Sequence, residues 1–232
     1  DIGIGTDGGG SVLAPAISLN LFSLIDPVLF RDERKREKDK ISTDGISFIP
    51  SIGLISKNLK LVQELFFNLR DLESSNQEIK ILVDDENICN LLKDENVEVS
   101  SFEGKYDNER LALIETTKRL LEKYDIIVSK EGPVDLNGFG DTVFGHFDDK
   151  TKEIQVAANK GFLRIANMAN CFALTVPSGE LSTAYVILCD TDNVSAIRKS
   201  FMIAESLYRE NDELSERYFS NYKNYFMNGY SN

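Results

Sequence analysis

The sequence predicts an α/β fold in which helices pack in layers against a β-sheet. Short apolar segments of strand character alternate along the chain with longer segments whose apolar residues recur at helical spacing. One unit runs from a strand at residues 79–83, through a helix that carries Ile88 and Leu92, to an alternating strand at residues 97–102. That order is a β-α-β unit, and such alternation is typical of layered α/β proteins.

The N-terminal part follows the order strand, turn, helix. Residues 2–5 have the apolar pattern of a buried strand, a glycine run follows at residues 8–10, and a helix is expected to start after Ser11. Residues 31–40 form a charged decamer that we expect to be exposed. A second helix is indicated by helical spacing of five apolar residues: Leu59, Val62, Leu65, Phe66 and Leu69.

The second half of the chain continues the alternation. A helix at residues 110–121 leads into a strand at residues 126–128, and residues 130–154 are rich in glycine and aspartate, which predicts a long loop. We expect residues 165–169 to close a helix and residues 193–226 to be helical. Two further strands are expected between them, at residues 172–177 and 184–189.

Composition excludes several classes of function. The 232 residues include 26 basic and 38 acidic side chains, a net charge of −12, so the surface lacks the positive charge that nucleic acids or anionic membranes require. No apolar run approaches the length of a membrane span. Three widely spaced cysteines, Cys89, Cys171 and Cys189, favour reduced, buried thiols in a cytoplasmic compartment. The single histidine, His146, excludes a histidine-rich metal centre, and its loop setting favours a solvated surface residue.

The chain opens with Asp1 directly before a strand, with no cap or leader segment. A strand at the very start of a chain leaves surface that another segment has to cover. We therefore expect residues 1–232 to be one α/β domain from the C-terminal part of a longer protein.

The most informative segment is Gly5-Thr6-Asp7-Gly8-Gly9-Gly10-Ser11. A glycine run after a strand allows backbone N–H groups to converge on an anion. A phosphate-binding loop is disfavoured because no lysine accompanies Ser11. Two interpretations remain open on these residues alone: an acyl-transfer site with Ser11 as nucleophile, or a simple turn in which Ser11 caps the following helix.

The stretch DIGIGTDGGGSVLAPA resembles the signature segment of the amidase signature family, whose pattern runs approximately G-T/S-D-T-G-G-S-x-R-x-P-A. Three further segments resemble the family in the same order along the chain: residues 44–61, residues 124–127, and ANMANCFALTVPSG at residues 166–179. The resemblance therefore covers most of the chain, and it is weak at residues 75–120. It implies a mixed β-sheet between helical layers.

The resemblance also implies amide C–N bond hydrolysis by a serine, cis-serine and lysine triad, which needs no metal and no cofactor. Ser11 falls at the nucleophile position, and the backbone amides of Gly8, Gly9, Gly10 and Ser11 fall where the family forms its oxyanion hole. Thr6 and Asp7 are expected to orient the loop by side-chain hydrogen bonds. The substrate would be a small-molecule amide. Neither a nucleic acid nor a membrane is expected as a direct partner.

Three departures from the family pattern leave other functions open. The family's lysine and bridging serine precede the nucleophile, so an N-terminal half or a second chain would have to supply them. Leu13 replaces the signature arginine, and Gly8 replaces the usual threonine. Alternatives to a simple amidase are the A-type subunit of a glutamyl-tRNA amidotransferase and a non-catalytic binding or assembly module that keeps the fold.

Overall fold

A computed structural model describes most of the chain. The described residues are 1–30, 40–42, 44–70, 72, 77–93, 96–107, 109–136 and 148–210. Of the predicted features, most of the charged decamer, His146 and the end of the C-terminal helix prediction lie outside these residues.

Within the described residues, eight strands form one mixed sheet in the order β1-β5-β2-β9-β10-β8-β6-β7. Strands β6 and β7 are parallel, as are β6 and β8, and the remaining pairs are antiparallel. Strands β3 and β4 form a separate two-stranded hairpin. The strands are β1 (Gly3–Asp7), β2 (Phe22–Asp26), β3 (Lys40–Ile41), β4 (Ser47–Phe48), β5 (Ser51–Ser56), β6 (Ile81–Val83), β7 (Val97–Val99), β8 (Ile126–Glu131), β9 (Cys171–Pro177) and β10 (Ala184–Asp190).

Three of the described helices begin where a polar side chain caps the first turn. The side chains of Asn58, Asp85 and Asn193 each accept a hydrogen bond from a backbone N–H two or three residues later. The helices are α1 (Leu13–Ser18), α2 (Leu59–Leu69), α3 (Glu86–Leu92), α4 (Arg110–Leu121), α5 (Asp149–Val156) and α6 (Val194–Leu207). Among the described helices, none combines the length and the apolar character needed to cross a bilayer.

Apolar residues cover both faces of the sheet. On one face, Phe172, Leu174 and Val176 of β9 pack with residues of α2, α3 and α6. On the other, Cys171 and Ala173 pack with α1, α4 and the turn near residue 163. Successive side chains of one strand thus enter opposite helical layers. The prediction of an α/β fold with a mixed sheet between helical layers is confirmed.

Several predicted boundaries were wrong. Residues 130–154 are not one loop, because β8 continues to Glu131 and α5 begins at Asp149. Residues 165–169 are turns after a 3₁₀ turn, Phe162–Arg164, rather than the end of an α-helix. Helix α6 ends at Leu207, since Tyr208 has an extended ψ of 134°. Strand β1 was expected to be buried, but it is the edge strand of the sheet, and 67% of Ile4 is exposed.

Candidate active site

The glycine run connects the end of edge strand β1 to helix α1. Asp7, the last residue of β1, is buried, and it lies opposite Ser51 of β5. Gly10 has a φ of +98°, and a Cβ atom there would lie 2.8 Å from Cδ1 of Leu163. Because an L side chain is disfavoured both by this φ and by the contact, only glycine suits the position.

The buried carboxylate of Asp7 organises the turn. The N–H of Gly10 donates to Oδ1 at 2.7 Å, and the N–H groups of Val12 and Leu13 donate to Oδ2 at 2.6 and 3.2 Å. Burial raises the pKa of Asp7, while these backbone donors act in the opposite direction. The first N–H groups of α1 are therefore satisfied by Asp7. The N-cap residue of α1 is Val12, so the prediction that Ser11 caps this helix was wrong, although the run does form a turn between β1 and α1.

Ser11 is exposed, whereas its neighbours Gly10 and Val12 are buried. Its side chain therefore reaches solvent from a turn whose backbone is held below the surface. Thr6 is also exposed and pairs with Ile52 across the strands. Leu13 is fully buried in the core, so the residue that stands in place of the signature arginine faces the protein interior.

The β3–β4 hairpin lies against the glycine run. A Cβ atom on Gly8 would lie 2.4 Å from Cε2 and 2.9 Å from Cζ of Phe48. Such distances are shorter than any van der Waals contact, so the Phe48 ring occupies the space of the side chain that Gly8 lacks. This packing gives a physical reason for glycine where the family pattern has threonine.

An ion pair joins the same hairpin to helix α4. Nε and Nη2 of Arg110 donate to Oδ2 and Oδ1 of Asp44 at 2.6 and 2.7 Å, a bidentate arrangement. Burial raises the pKa of Asp44, but the hydrogen bonds and charge of Arg110 outweigh it, and the pKa is lowered. Nη1 of Arg110 lies 3.4 Å from the Cβ position of Gly9. A buried guanidinium thus lies beneath the glycine run.

A second buried carboxylate, Glu131, lies at the end of β8. It accepts hydrogen bonds from the N–H groups of Gly161 at 2.9 Å, Phe162 at 2.6 Å and Leu163 at 3.4 Å. Burial raises its pKa to about 7, although the charge of Lys105 and the three N–H donors act to lower it.

Lys105 is committed to its own polar cluster. Its Nζ donates to Oδ2 of Asp84 at 2.7 Å, to Oγ of Ser129 at 3.0 Å and to the carbonyl of Lys130 at 2.7 Å. Burial disfavours its charged form, but the Glu131 and Asp84 carboxylates outweigh this and raise the pKa of Lys105. A lysine with all three donors engaged and a raised pKa is unsuited to act as a base.

Cys171 and Cys189 are buried as predicted, whereas Cys89 is half-buried. Burial raises the pKa of Cys171 to about 12 and that of Cys189 well above its ordinary value, so neither is a thiolate at neutral pH. In the described part of the chain, no group of three or more His, Cys, Asp or Glu side chains is placed to hold a metal ion.

Sequence reasoning missed four residues around the glycine run: Asp44, Phe48, Arg110 and Glu131. Asp44 and Phe48 lie in a segment that resembles the amidase signature family, so a signal existed there. Arg110 and Glu131 are ordinary charged residues in the sequence, and only their burial distinguishes them. Their partners are distant in the sequence: Asp44 is 66 residues from Arg110, and the three N–H donors are 30 to 32 residues from Glu131.

Solved structures of amidase-signature enzymes share this fold. The A-type chain of glutamyl-tRNA(Gln) amidotransferase from Thermotoga maritima matches 90% of this chain at 14% identity, with a TM-score of 0.55 and 62% of its own length covered. Kluyveromyces lactis allophanate hydrolase matches 89% at 13% identity, with a TM-score of 0.53 and 46% of its length covered. An amidase family protein from Bacillus anthracis matches 91% at 12% identity, with a TM-score of 0.53 and 58% of its length covered.

At these identities the likeness shows the fold. The chain spans between about half and two thirds of the length of these three proteins. No protein-family model matches the sequence, and no curated protein sequence is significantly similar to it.

Proposed function

We propose that the complete protein hydrolyses the C–N bond of a small-molecule carboxamide, with Ser11 as the nucleophile. The observation that carries the proposal is the exposed Ser11 at the end of a glycine turn whose backbone is held by the buried Asp7. The shared fold with amidase-signature enzymes supports the reaction class.

The oxyanion of the tetrahedral intermediate would be bound by backbone N–H groups of the turn. Of the four candidates, the Gly10 amide already donates to Asp7, and the Ser11 amide also faces that carboxylate. The amides of Gly8 and Gly9 are not among the donors to Asp7. We therefore assign the oxyanion to Gly8 and Gly9 first.

The general base would be a lysine acting through a bridging serine, both supplied from outside this chain. Lys105 supports this assignment indirectly, because its three donors are engaged. The partial coverage of the amidase structures leaves room for such a segment, in an N-terminal half or a second polypeptide. That segment would complete the triad at Ser11.

The test compares Ser11→Ala with wild type in the protein expressed from its complete reading frame. Intact mass and co-purification first identify the polypeptide that carries the lysine. We then expect a fluorophosphonate probe to label wild type at Ser11, and turnover of small amides to fall by about 10³-fold or more in the variant. Ser206→Ala, which changes an exposed serine on α6, serves as the control and is expected to behave as wild type.

The outcomes separate the alternatives. Labelling or turnover that survives in Ser11→Ala rejects Ser11 as the nucleophile. Turnover of small amides without any co-purifying subunit counts against the A-type amidotransferase chain. Release of ammonia to a partner subunit other than the polypeptide that carries the lysine favours that chain, which the Thermotoga maritima neighbour supports. A complete protein that contains the lysine segment but shows neither labelling nor turnover favours the non-catalytic module.

A further inference from the structure

Glu131 is the residue that fixes the turn Phe162–Arg164. Its side chain is fully buried, and both carboxylate oxygens accept N–H groups from three successive residues, 161 to 163. A Cβ atom on Gly161 would lie 2.9 Å from Oε1 of Glu131. Glycine at position 161 therefore permits the close approach that these hydrogen bonds need.

The same turn covers the glycine run. The Cβ position of Gly10 lies 2.8 Å from Cδ1 of Leu163, 3.5 Å from its carbonyl oxygen and 3.7 Å from Cα of Arg164. The Cβ position of Gly9 lies 3.6 Å from the carbonyl oxygen of Arg164. Gly10 thus packs on Leu163, whose N–H Glu131 binds, and Gly9 packs on the next residue, Arg164.

We infer that Glu131 is a positioning residue for the glycine run: its carboxyl group holds residues 161–163, and Leu163 and Arg164 at the end of that turn hold Gly9 and Gly10 at the Ser11 site. The mechanical coupling rests on the contacts alone. Its consequence for catalysis rests on the function proposed above.

The carboxylate also makes the coupling depend on pH. Lys105 and Tyr106 interact electrostatically with Glu131, and Asp84 in turn faces Lys105. Burial raises the pKa of Glu131 to about 7 from its ordinary 4.5, so the closed turn binds a proton more tightly than an opened, hydrated one. The closed turn is therefore favoured at low pH. The equilibrium constant for opening the turn increases by about tenfold between pH 6 and pH 8.

Hydrogen exchange read by mass spectrometry tests the inference in the complete protein. Exchange is measured in peptides that cover residues 5–13 and 159–166, at pH 6 and pH 8, and is corrected for the intrinsic rate. Glu131→Gln is compared with wild type. Glu180→Gln is the control, because it removes an exposed carboxylate that pairs with Lys130, next to Glu131.

In wild type and in Glu180→Gln we expect opening of both peptides to increase about tenfold from pH 6 to pH 8. In Glu131→Gln we expect faster exchange in both peptides at pH 6 and a much smaller pH dependence. Asp7 also titrates near the run, so the comparison between variants, and not the wild-type profile alone, isolates Glu131.

Unchanged exchange at residues 5–13 in a folded Glu131→Gln variant overturns the inference. Should that variant fail to fold, Gly161→Ala replaces it, because its methyl group would lie 2.9 Å from Oε1 of Glu131 and disturb the same hydrogen bonds. Unchanged exchange at residues 5–13 in Gly161→Ala then overturns the inference. Fluorophosphonate labelling of Ser11 is recorded in parallel. If exchange at residues 5–13 changes in Glu131→Gln but wild-type Ser11 is not labelled, the proposed amidase function is rejected and the positioning role is kept. If Ser11 is labelled but exchange at residues 5–13 does not change, the positioning role is rejected and the proposed function is kept.

Discussion

Two buried carboxyl groups hold the backbone around Ser11. Asp7 satisfies three backbone N–H groups of the turn and helix α1, and Glu131 satisfies three in the neighbouring turn. A buried N–H group without an acceptor destabilises the fold. Asp7 therefore stabilises the turn directly after it, and Glu131 stabilises a turn that begins 30 residues further along the chain. The candidate site is thus held by residues that need not touch a substrate.

The ion pair between Asp44 and Arg110 gives a prediction at this scale. Asp44→Asn leaves the buried Arg110 without its bidentate carboxylate, and we expect the free energy of unfolding to fall by about 3 kcal/mol. The folded-state pKa of Asp44 lies below its ordinary value of 3.8, so the stabilisation is present above 3.8 and lost as pH falls through the folded value.

Urea unfolding at pH 7 and at a series of acidic pH values measures this effect. The difference between wild type and Asp44→Asn is expected to narrow below pH 3.8. Glu64→Gln, which removes an exposed carboxylate from α2, is the control and should leave the free energy unchanged. A full difference that persists at the lowest pH would contradict the assignment to the Asp44 charge.

At the scale of elements, the β3–β4 hairpin is coupled to the glycine run through Phe48 and Gly8. Gly8→Ala places a methyl group in steric overlap with the edge of the Phe48 ring, and we expect the free energy of unfolding to fall by about 1–3 kcal/mol. Phe48→Leu removes the ring. In the double variant the methyl group has room, so its cost is expected to be at least about 0.5 kcal/mol less than the sum of the single variants.

A double-mutant cycle by urea unfolding measures this coupling. Gly45→Ala is the matched control, because Gly45 has a φ of +82° but nothing lies within 4 Å of its Cβ position. Its cost comes from backbone strain and should be the same in the wild-type and Phe48→Leu backgrounds. Additive costs for Gly8→Ala and Phe48→Leu would show that hairpin and run do not pack as described.

At the scale of the whole molecule, an aromatic cluster joins α6, α2 and the sheet. The centroid of the Phe201 ring lies 5.8 Å from the ring centroid of Phe66, 5.2 Å from that of Phe67 and 6.1 Å from that of Phe172. Phe201 is 1% exposed. Phe201→Ala is therefore expected to reduce the free energy of unfolding by about 3–5 kcal/mol.

Met202→Ala, on the same helix with 61% of the residue exposed, is the control and is expected to have little effect. Thermal and urea unfolding of both variants measure the difference. Because the cluster lies on the face of the sheet opposite α1, labelling at Ser11 should be unchanged while Phe201→Ala remains folded. Equal costs for the two variants would contradict the described packing of α6.

Local pattern accounts for the elements that sequence reasoning found. The helical spacing of apolar residues in α2 and the turn chemistry of Gly8, Gly9 and Gly10 both involve residues close along the chain. The β-α-β prediction is also confirmed, because β6 and β7 pair as parallel strands.

By itself, therefore, the sequence determined the α/β class, most helices and strands, and the glycine run that ends at Ser11. Only the tertiary structure decided that β1 is an edge strand, that Phe48 fills the space above Gly8, and that Arg110 and Glu131 lie buried around the run. The physical reason is the distance along the chain over which each interaction acts. Periodicity and turn chemistry act over a few residues, whereas strand order and the pairing of buried charges depend on contacts between segments far apart in the chain.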